Sequence, residues 1–330
     1  MADINVFQDD AFGVTTLTAT INEQPMVPGR LSSLNLFDEE GINTTVVQIE
    51  KSGETLALVP AGQRGIPGLI VQADRRNMIP FNTVHLPERA SIGADEIQGI
   101  RAFGTQSELE AVETVVNKRL AKMRRQLDAT HEFHRIGAVK GLILDADGVT
   151  PLLNLYSAFG LTQQSLDFEL DQTATELRLK CSELLDMVED ALGNTPFVTV
   201  RVECGKNFWN KLITHKAVKE TYLATQMAAS LRGDPREAIE FGGCVFERYR
   251  GKVGSVGYVG DDEAYAVPDA DGLFISRFAP ADYMETVNTT GLPYYAKQER
   301  LPFDKGVALE AQSNPLHLCT RPRAVIKLTV

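Results

Sequence analysis

The sequence predicts an α+β fold: helices and strands follow one another without a repeating β-α-β unit. Three observations carry this. Residues 105–135 have the periodicity of one long helix. Two further helical stretches, 173–192 and 206–223, flank a β-branched run at 197–202. The last third of the chain is a series of short apolar runs broken by glycine and proline. The resulting order, β, α, α, β, α, β, β, β, is that of mixed rather than doubly wound architecture.

Taken in order, residues 1–40 are a poor start for a compact domain. Phe7, Phe12, Leu17 and Ile21 are scattered among Asp, Thr and Asn; Pro25, Pro28 and Gly29 interrupt regular structure; Leu31, Leu34, Leu36 and Phe37 form a short apolar cluster. Such a stretch cannot bury its apolar side chains against itself. It must lie on the rest of the chain or on a neighbouring copy, and an extended arm is the expected form. From Thr44 to Phe81 the pattern is of strands. Val46, Val47 and Ile49 are β-branched, Lys51-Ser52-Gly53 reads as a turn, and Leu56, Leu58 and Val59 run back. Residues 62–81 then read as a long glycine-bearing hairpin with a charged tip at Asp74-Arg75-Arg76-Asn77. A two-stranded hairpin is marginal alone in water, so this one calls for a partner surface.

The long helix starts at Thr105 with Glu108 three residues on, or at Ser107 with Glu110, as a capping box requires. Leu109, Val112, Val116, Leu120, Met123 and Leu127 fall on one face. Glu108, Glu110 and Glu113 lie early and Lys118, Arg119, Lys122, Arg124 and Arg125 late, an order that suits the helix dipole. At 1.5 Å per residue it is about 45 Å long, and its single apolar stripe predicts a helix backed onto a sheet or a crossing element. The basic run Arg119 to Arg125 reads as its solvated face. Beyond it, Asp145-Ala146-Asp147-Gly148 lacks the third ligand, the sixth-position glycine and the twelfth-position glutamate of a calcium loop, so a hairpin turn is expected; Asp269-Ala270-Asp271-Gly272 is read the same way. Leu177, Cys181, Leu184, Leu185, Val188 and Leu192 share a face of the second helix, which Gly193-Asn194 stops. The third helix, 206–223, carries Phe208, Trp209, Leu212, Ile213, Val218 and Tyr222; Gly242-Gly243 breaks the strand 239–249, and the glycine-rich stretch 251–260 reads as a loop.

With 330 residues, 43% hydrophobic and 23% charged, the chain predicts about two domains with sizeable cores. Its net charge of −11 argues against nucleic-acid binding through a broad basic face. No run approaches a membrane span, and Met1 to Asp10 lack a signal pattern, so the chain is expected to stay in the cytoplasm that makes it. Cys181, Cys204, Cys244 and Cys319 match no metal or redox spacing and are expected to be buried and reduced. Catalytic signatures are lacking too. His131 and His134 are three residues apart, not the four of a zinc-protease helix, and are expected at a solvated helix end. Gly251, Gly254 and Gly257 make no phosphate-binding pattern, and Ser255 sits in no nucleophile elbow. Neither a catalytic residue, nor a metal site, nor a cofactor is assigned.

Several stretches, in one order along nearly the whole chain, carry a resemblance. They are Leu17-Thr18-Ala19-Thr20-Ile21-Asn22-Glu23-Gln24; Phe208-Trp209-Asn210-Lys211-Leu212 with His215 to Glu220; Phe241-Gly242-Gly243-Cys244-Val245-Phe246 with Tyr249 and Gly251; Val267-Pro268 with Gly272-Leu273-Phe274; and Gln312-Ser313-Asn314-Pro315-Leu316-His317-Leu318 with Pro322, Val325 and Val330. In these the chain resembles the major capsid protein of lambda-type tailed bacteriophages, the capsid protein E family. Stretches 62–81 and 251–260 match that family only in character.

The resemblance implies the tailed-phage capsid fold named for phage Hong Kong ninety-seven, with an N-terminal arm, an E-loop hairpin, a spine helix, and peripheral and axial domains. The implied division is arm 1–40, E-loop region 41–100, peripheral domain 101–175 and 281–313, and axial domain 176–280 and 314–330. It implies a shell subunit that forms hexamers and pentamers around phage DNA without reading its sequence. Further partners would be portal and scaffolding proteins and a decoration protein, with no membrane involved. Arm and hairpin would then meet neighbouring subunits, making Phe7, Phe12, Leu36, Phe37, Arg64, Arg75 and Arg76 candidate inter-subunit contacts. Two other readings compete: an encapsulin-like compartment shell, and a cytosolic α+β hydrolase whose site carries no known motif.

Overall fold

The computed structural model describes residues 7, 9–24, 29–51, 77–97, 108–193, 195–223, 238–253 and 256–330. Its axis is the helix Glu108–Lys140, of 33 residues. Val112, Val116, Leu120, Met123 and Leu127 are buried on the face the periodicity predicts. The helix does not end at 135. Ile136, Ala138 and Val139 continue it, buried, and Gly141, at φ +77°, ends it in the left-handed conformation that glycine takes at low cost. The helix thereby spans two hydrophobic cores. Its first half packs in the smaller one, with Ile92, Val307, Leu309 and Ala311; its end packs in the larger one.

The smaller core rests on an antiparallel three-stranded sheet. The strand Gly306–Ser313 lies between Leu86–Gly93 and Tyr295–Arg300. The larger core is built on a six-stranded sheet in the order Ser165–Asp167, Ile326–Thr329, Ala264–Pro268, Val200–Cys204, Cys244–Arg248, Ile239–Phe241. Ala264–Pro268, near its middle, is buried at every position, as expected of a strand covered on both faces. The helix Leu177–Leu192 lays Leu177, Cys181, Leu184, Val188 and Leu192 into this core. Ile136 to Leu170 also pack here, so the larger core begins well before residue 175. A third sheet, Phe37–Gly41, Phe274–Phe278 and Pro315–Cys319, ties the chain's start to its end.

Several elements differ from the sequence reading. The stretch 206–223 is two helices, Lys206–Thr214 and Lys216–Leu223, because His215 is extended between them (ψ 141°). Its ring explains the break: Nε2 meets the Gln172 carbonyl at 3.0 Å, and Nδ1 accepts the Ala217 amide at the start of the second helix. Asp145–Gly148 does join paired strands, Leu142–Leu144 and Pro151–Asn154. Asp269–Gly272 does not make a hairpin; it passes the chain from the six-stranded sheet to the three-stranded sheet of Phe274–Phe278. Within 251–260, Lys252–Val253 and Val256–Gly257 pair as short strands. All four cysteines are buried and free.

Candidate assembly surfaces

The N-terminal segment is not an extended arm where it is described. Val14–Glu23 and Arg30–Ser33 are helices, and both dock on the chain's own body. The rings of Phe7 and Phe12 stand 5.3 Å apart and pack with Leu17 and Ile21 into the smaller core. Gln298 donates to the Phe7 carbonyl at 2.6 Å, Asn22 to the Tyr294 carbonyl at 2.9 Å, and Arg124 to the Ile21 carbonyl at 2.5 Å. Phe37 stacks on Phe274 at 5.1 Å. Phe7, Phe12 and Phe37, expected as inter-subunit contacts, are buried within the subunit itself. Leu36 is half-buried. Arg64, Arg75 and Arg76 lie outside the described residues.

Glu132, on the long helix, fastens this segment. Its carboxylate accepts the Leu31 amide at 2.8 Å and the Tyr249 hydroxyl at 2.9 Å, and it caps the helix Arg30–Ser33 from another part of the chain. A Cβ at Gly29 would stand 2.2 Å from that carboxylate, so a larger residue there would displace Glu132 from the Leu31 amide. Beside it Arg30 pairs with Glu247. Arg124, Asp128, Glu132 and Arg135 are all buried, so the helix's basic run is solvated only in part. Arg124 pairs with Asp128 at 3.0 Å and stacks over the Tyr294 ring at 3.9 Å, and Arg135 pairs with Glu39.

His131 and His134 are buried, not solvated as expected, because the helix runs on past them into the larger core. His131 joins an ordered hydrogen-bond chain. Ser313 donates to the Pro293 carbonyl at 2.6 Å, so its oxygen accepts from His131 Nε2 at 3.0 Å. His131 Nδ1 is then the acceptor for His317 Nε2 at 3.3 Å, and His317 Nδ1 accepts from the Ser276 hydroxyl at 2.7 Å. Burial, with the Arg135 charge nearby, holds both imidazoles well below their usual range and hence neutral. Burial also pushes His134 down to about 4. These groups bind the long helix to Phe274–Phe278 and Pro315–Cys319; the chain is a strut rather than an exposed acid–base set.

The strand Val46–Lys51 pairs with Asn77–Asn82, in register from Val46 opposite Asn82 to Lys51 opposite Asn77. Its partner is thus the far end of the segment, not the expected return at 56–59, and Asn77 stands in the stem rather than at a tip. Residues 52–76 join the two strands and lie outside the described residues. A groove of about 200 Å³ at the foot of this stem is lined by Phe81, Val84, Leu152, Pro315 and His134, whose buried Nε2 has no partner.

A family model described as phage major capsid protein E matches residues 13–330. The chain belongs to that family. The major capsid protein of Salmonella phage Felix O1 is 28% identical over 351 aligned positions, covering 96% of this chain and 95% of that protein. That of Pseudomonas phage KPP10 is 29% identical, covering 96% of each. Among solved structures, a protein described as a prophage capsid protein from E. coli CFT073 superposes with a TM-score of 0.57 at 15% identity, over 96% of this chain and 98% of that one. The capsid of Myoviridae phage XM1 gives 0.51 at 11% identity, over 91% and 92%. At such identities the likeness is one of fold, and the fold is that of tailed-phage capsid subunits.

The capsid fold also exposes apolar residues that the sequence did not single out. Phe303 is 92% exposed at the turn between Tyr295–Arg300 and Gly306–Ser313, with an unfavourable left-handed φ of 63°. Met284 is 87% exposed in the single 3-10 turn Met284–Thr286. Single exposed apolar residues have no sequence signature, since nothing in their neighbours distinguishes them from core positions. Among the described residues no helix is long and apolar enough to cross a membrane.

Proposed function

We propose that this chain is the major shell protein of a tailed-phage head. Copies close into hexamers and pentamers, and these into the icosahedral shell that encloses the phage DNA. The carrying observation is the match to the capsid protein E family over residues 13–330, on a subunit with the capsid fold. Contacts between copies of one chain that are not self-complementary close into rings, which is how a single subunit type supplies both five- and sixfold units. The three-stranded sheet of the smaller core would be the peripheral domain and the six-stranded sheet the axial one, with Glu108–Lys140 as the spine helix and Val46–Lys51 with Asn77–Asn82 as the stem of the E-loop. Phe303, Met284 and the E-loop, with Arg64, Arg75 and Arg76, would meet neighbouring copies. The virion is the site of action, with assembly in the host cytoplasm, and portal, scaffolding and decoration proteins are the further partners proposed.

Charge reversal at the E-loop tests the contact. Arg75→Glu/Arg76→Glu is expected to leave the unfolding midpoint of the isolated subunit unchanged and to reduce the yield of shells at least tenfold by sedimentation. Full assembly of the double variant would remove the E-loop charges from the interface.

A further inference from the structure

We infer that a cationic groove beside the spine helix is a sequence-independent binding site for the phosphodiester backbone of the enclosed DNA. The inference rests on the shell-protein reading above. The groove, of about 460 Å³, lies where three parts of the chain meet: the start of the Arg30–Ser33 helix, the spine around Arg125 to Glu132, and the segment Arg248 to Lys252 with Tyr258. Five cations line it, Arg30, Arg125, Arg248, Arg250 and Lys252, in a protein whose net charge is −11.

The two carboxylates on its wall are already engaged. Asp128 accepts from Arg124 and, at 2.5 Å, from the Tyr294 hydroxyl; Glu132 accepts the Leu31 amide and the Tyr249 hydroxyl. Arg30 is paired with Glu247. The other four cations have no carboxylate partner among the described residues. Arg125, Arg250 and Lys252 are exposed, Arg248 is half-buried, and the Arg248 Nε is buried without any hydrogen-bond partner. Unneutralised guanidinium groups converging on a groove fit phosphate oxygens, which they bind with charge-assisted hydrogen bonds. The tyrosine hydroxyls are occupied, that of Tyr258 donating to the Ala129 carbonyl at 3.3 Å, so the groove offers charge rather than base-edge readout. One such groove per subunit anchors DNA at intervals, whereas a uniformly basic lining would hold it everywhere. The site also orients the subunit, with this flank of the spine helix toward the lumen.

The test measures fluorescence anisotropy of a mixed-sequence DNA duplex with the unassembled subunit, across salt concentrations. Four phosphate contacts, one from each cation without a carboxylate partner, give a slope of log K against log salt of about −3.6, or a roughly 150-fold loss of affinity between 50 and 200 mM. Arg125→Gln/Arg250→Gln/Lys252→Gln, all at exposed positions, is expected to keep the unfolding midpoint and bring the slope to about −0.9, the share left to Arg248. Arg250→Gln alone should flatten it by about 0.9. Unchanged binding by the triple variant, or no salt-dependent binding by the wild type, overturns the inference. Tighter binding of poly-glutamate than of the duplex at equal charge also overturns it, because the groove would then serve an acidic protein segment. Shell formation by the same variant, scored by electron microscopy, is a separate readout: intact shells with unaltered DNA binding would end the DNA site and leave the shell reading standing.

Discussion

At the scale of residues, the subunit holds more buried charge and imidazole than its sequence advertises, and these groups set how stability follows pH. His131, His317 and His134 have folded values below the ordinary value of 6.5. The unfolded chain therefore takes up protons below about pH 6.5 that the folded chain refuses, and stability falls as pH falls from there. The slope is about 1.4 kcal/mol per pH unit for each histidine. Glu203 acts in the opposite sense. It is buried with both carboxylate oxygens unpartnered, and burial pushes it up to about 7. The folded chain holds its proton where the unfolded one has released it, so stability is lost as pH rises from about 4.5 to 7. Urea unfolding of the unassembled subunit is expected to weaken steeply between pH 6.5 and 5. Glu203→Gln is expected to be more stable than wild type at pH 8, by on the order of 1–3 kcal/mol; a less stable variant would show that the carboxylate is used ionised. None of this was legible in the sequence. His131-Glu132-Phe133-His134 reads as a polar helix end, and only the run of the helix into the larger core turns those side chains inward.

At the scale of elements, periodicity located the long helix and its apolar face, and the local stop signal explains the error at its end. Two glycines follow Arg135. Gly137 is helical, and a Cβ there would stand 2.9 Å from the Ile143 Cα, so glycine serves close packing. The second, Gly141, is the stop. Sequence alone does not say which glycine does which. Gly242-Gly243 was read correctly as a break, and the structure shows why both are glycine: at φ +59° and +85° they form the two-residue connection between Phe241 and Cys244 that suits the strand twist. A contrast tests this. Gly242→Ala meets the Cys181 side chain at 2.5 Å as well as the backbone strain, whereas Gly272→Ala, at φ +68°, meets nothing within 4 Å. The Gly272 change is expected to cost about 1 kcal/mol and the Gly242 change about 2–4 kcal/mol in denaturant unfolding. Equal costs would mean that Cys181 yields freely.

At the scale of the whole molecule, the sequence resemblance carried the fold class and the family, while the placement of the described part of the first forty residues came only from the structure. An amphipathic segment reads alike whether its partner is its own chain or a neighbour. Leu17, Ile21, Leu31 and Phe37 turn out to fill the subunit's own cores. Deleting residues 1–40 is therefore expected to unfold the subunit, since each fully buried side chain of this kind contributes roughly 1.5–3 kcal/mol and a domain's whole stability is about 5–15 kcal/mol. A soluble, cooperatively unfolding truncation that fails only in assembly would restore the arm to the interface. The central claim is tested most directly by electron microscopy, with sedimentation velocity, on the full chain produced alone and together with the other head-assembly proteins of its phage. The expected result is closed icosahedral particles whose walls are five- and sixfold rings of this 36.3 kDa chain. Head particles lacking the chain, with the chain itself remaining a monomer in both preparations, would contradict it.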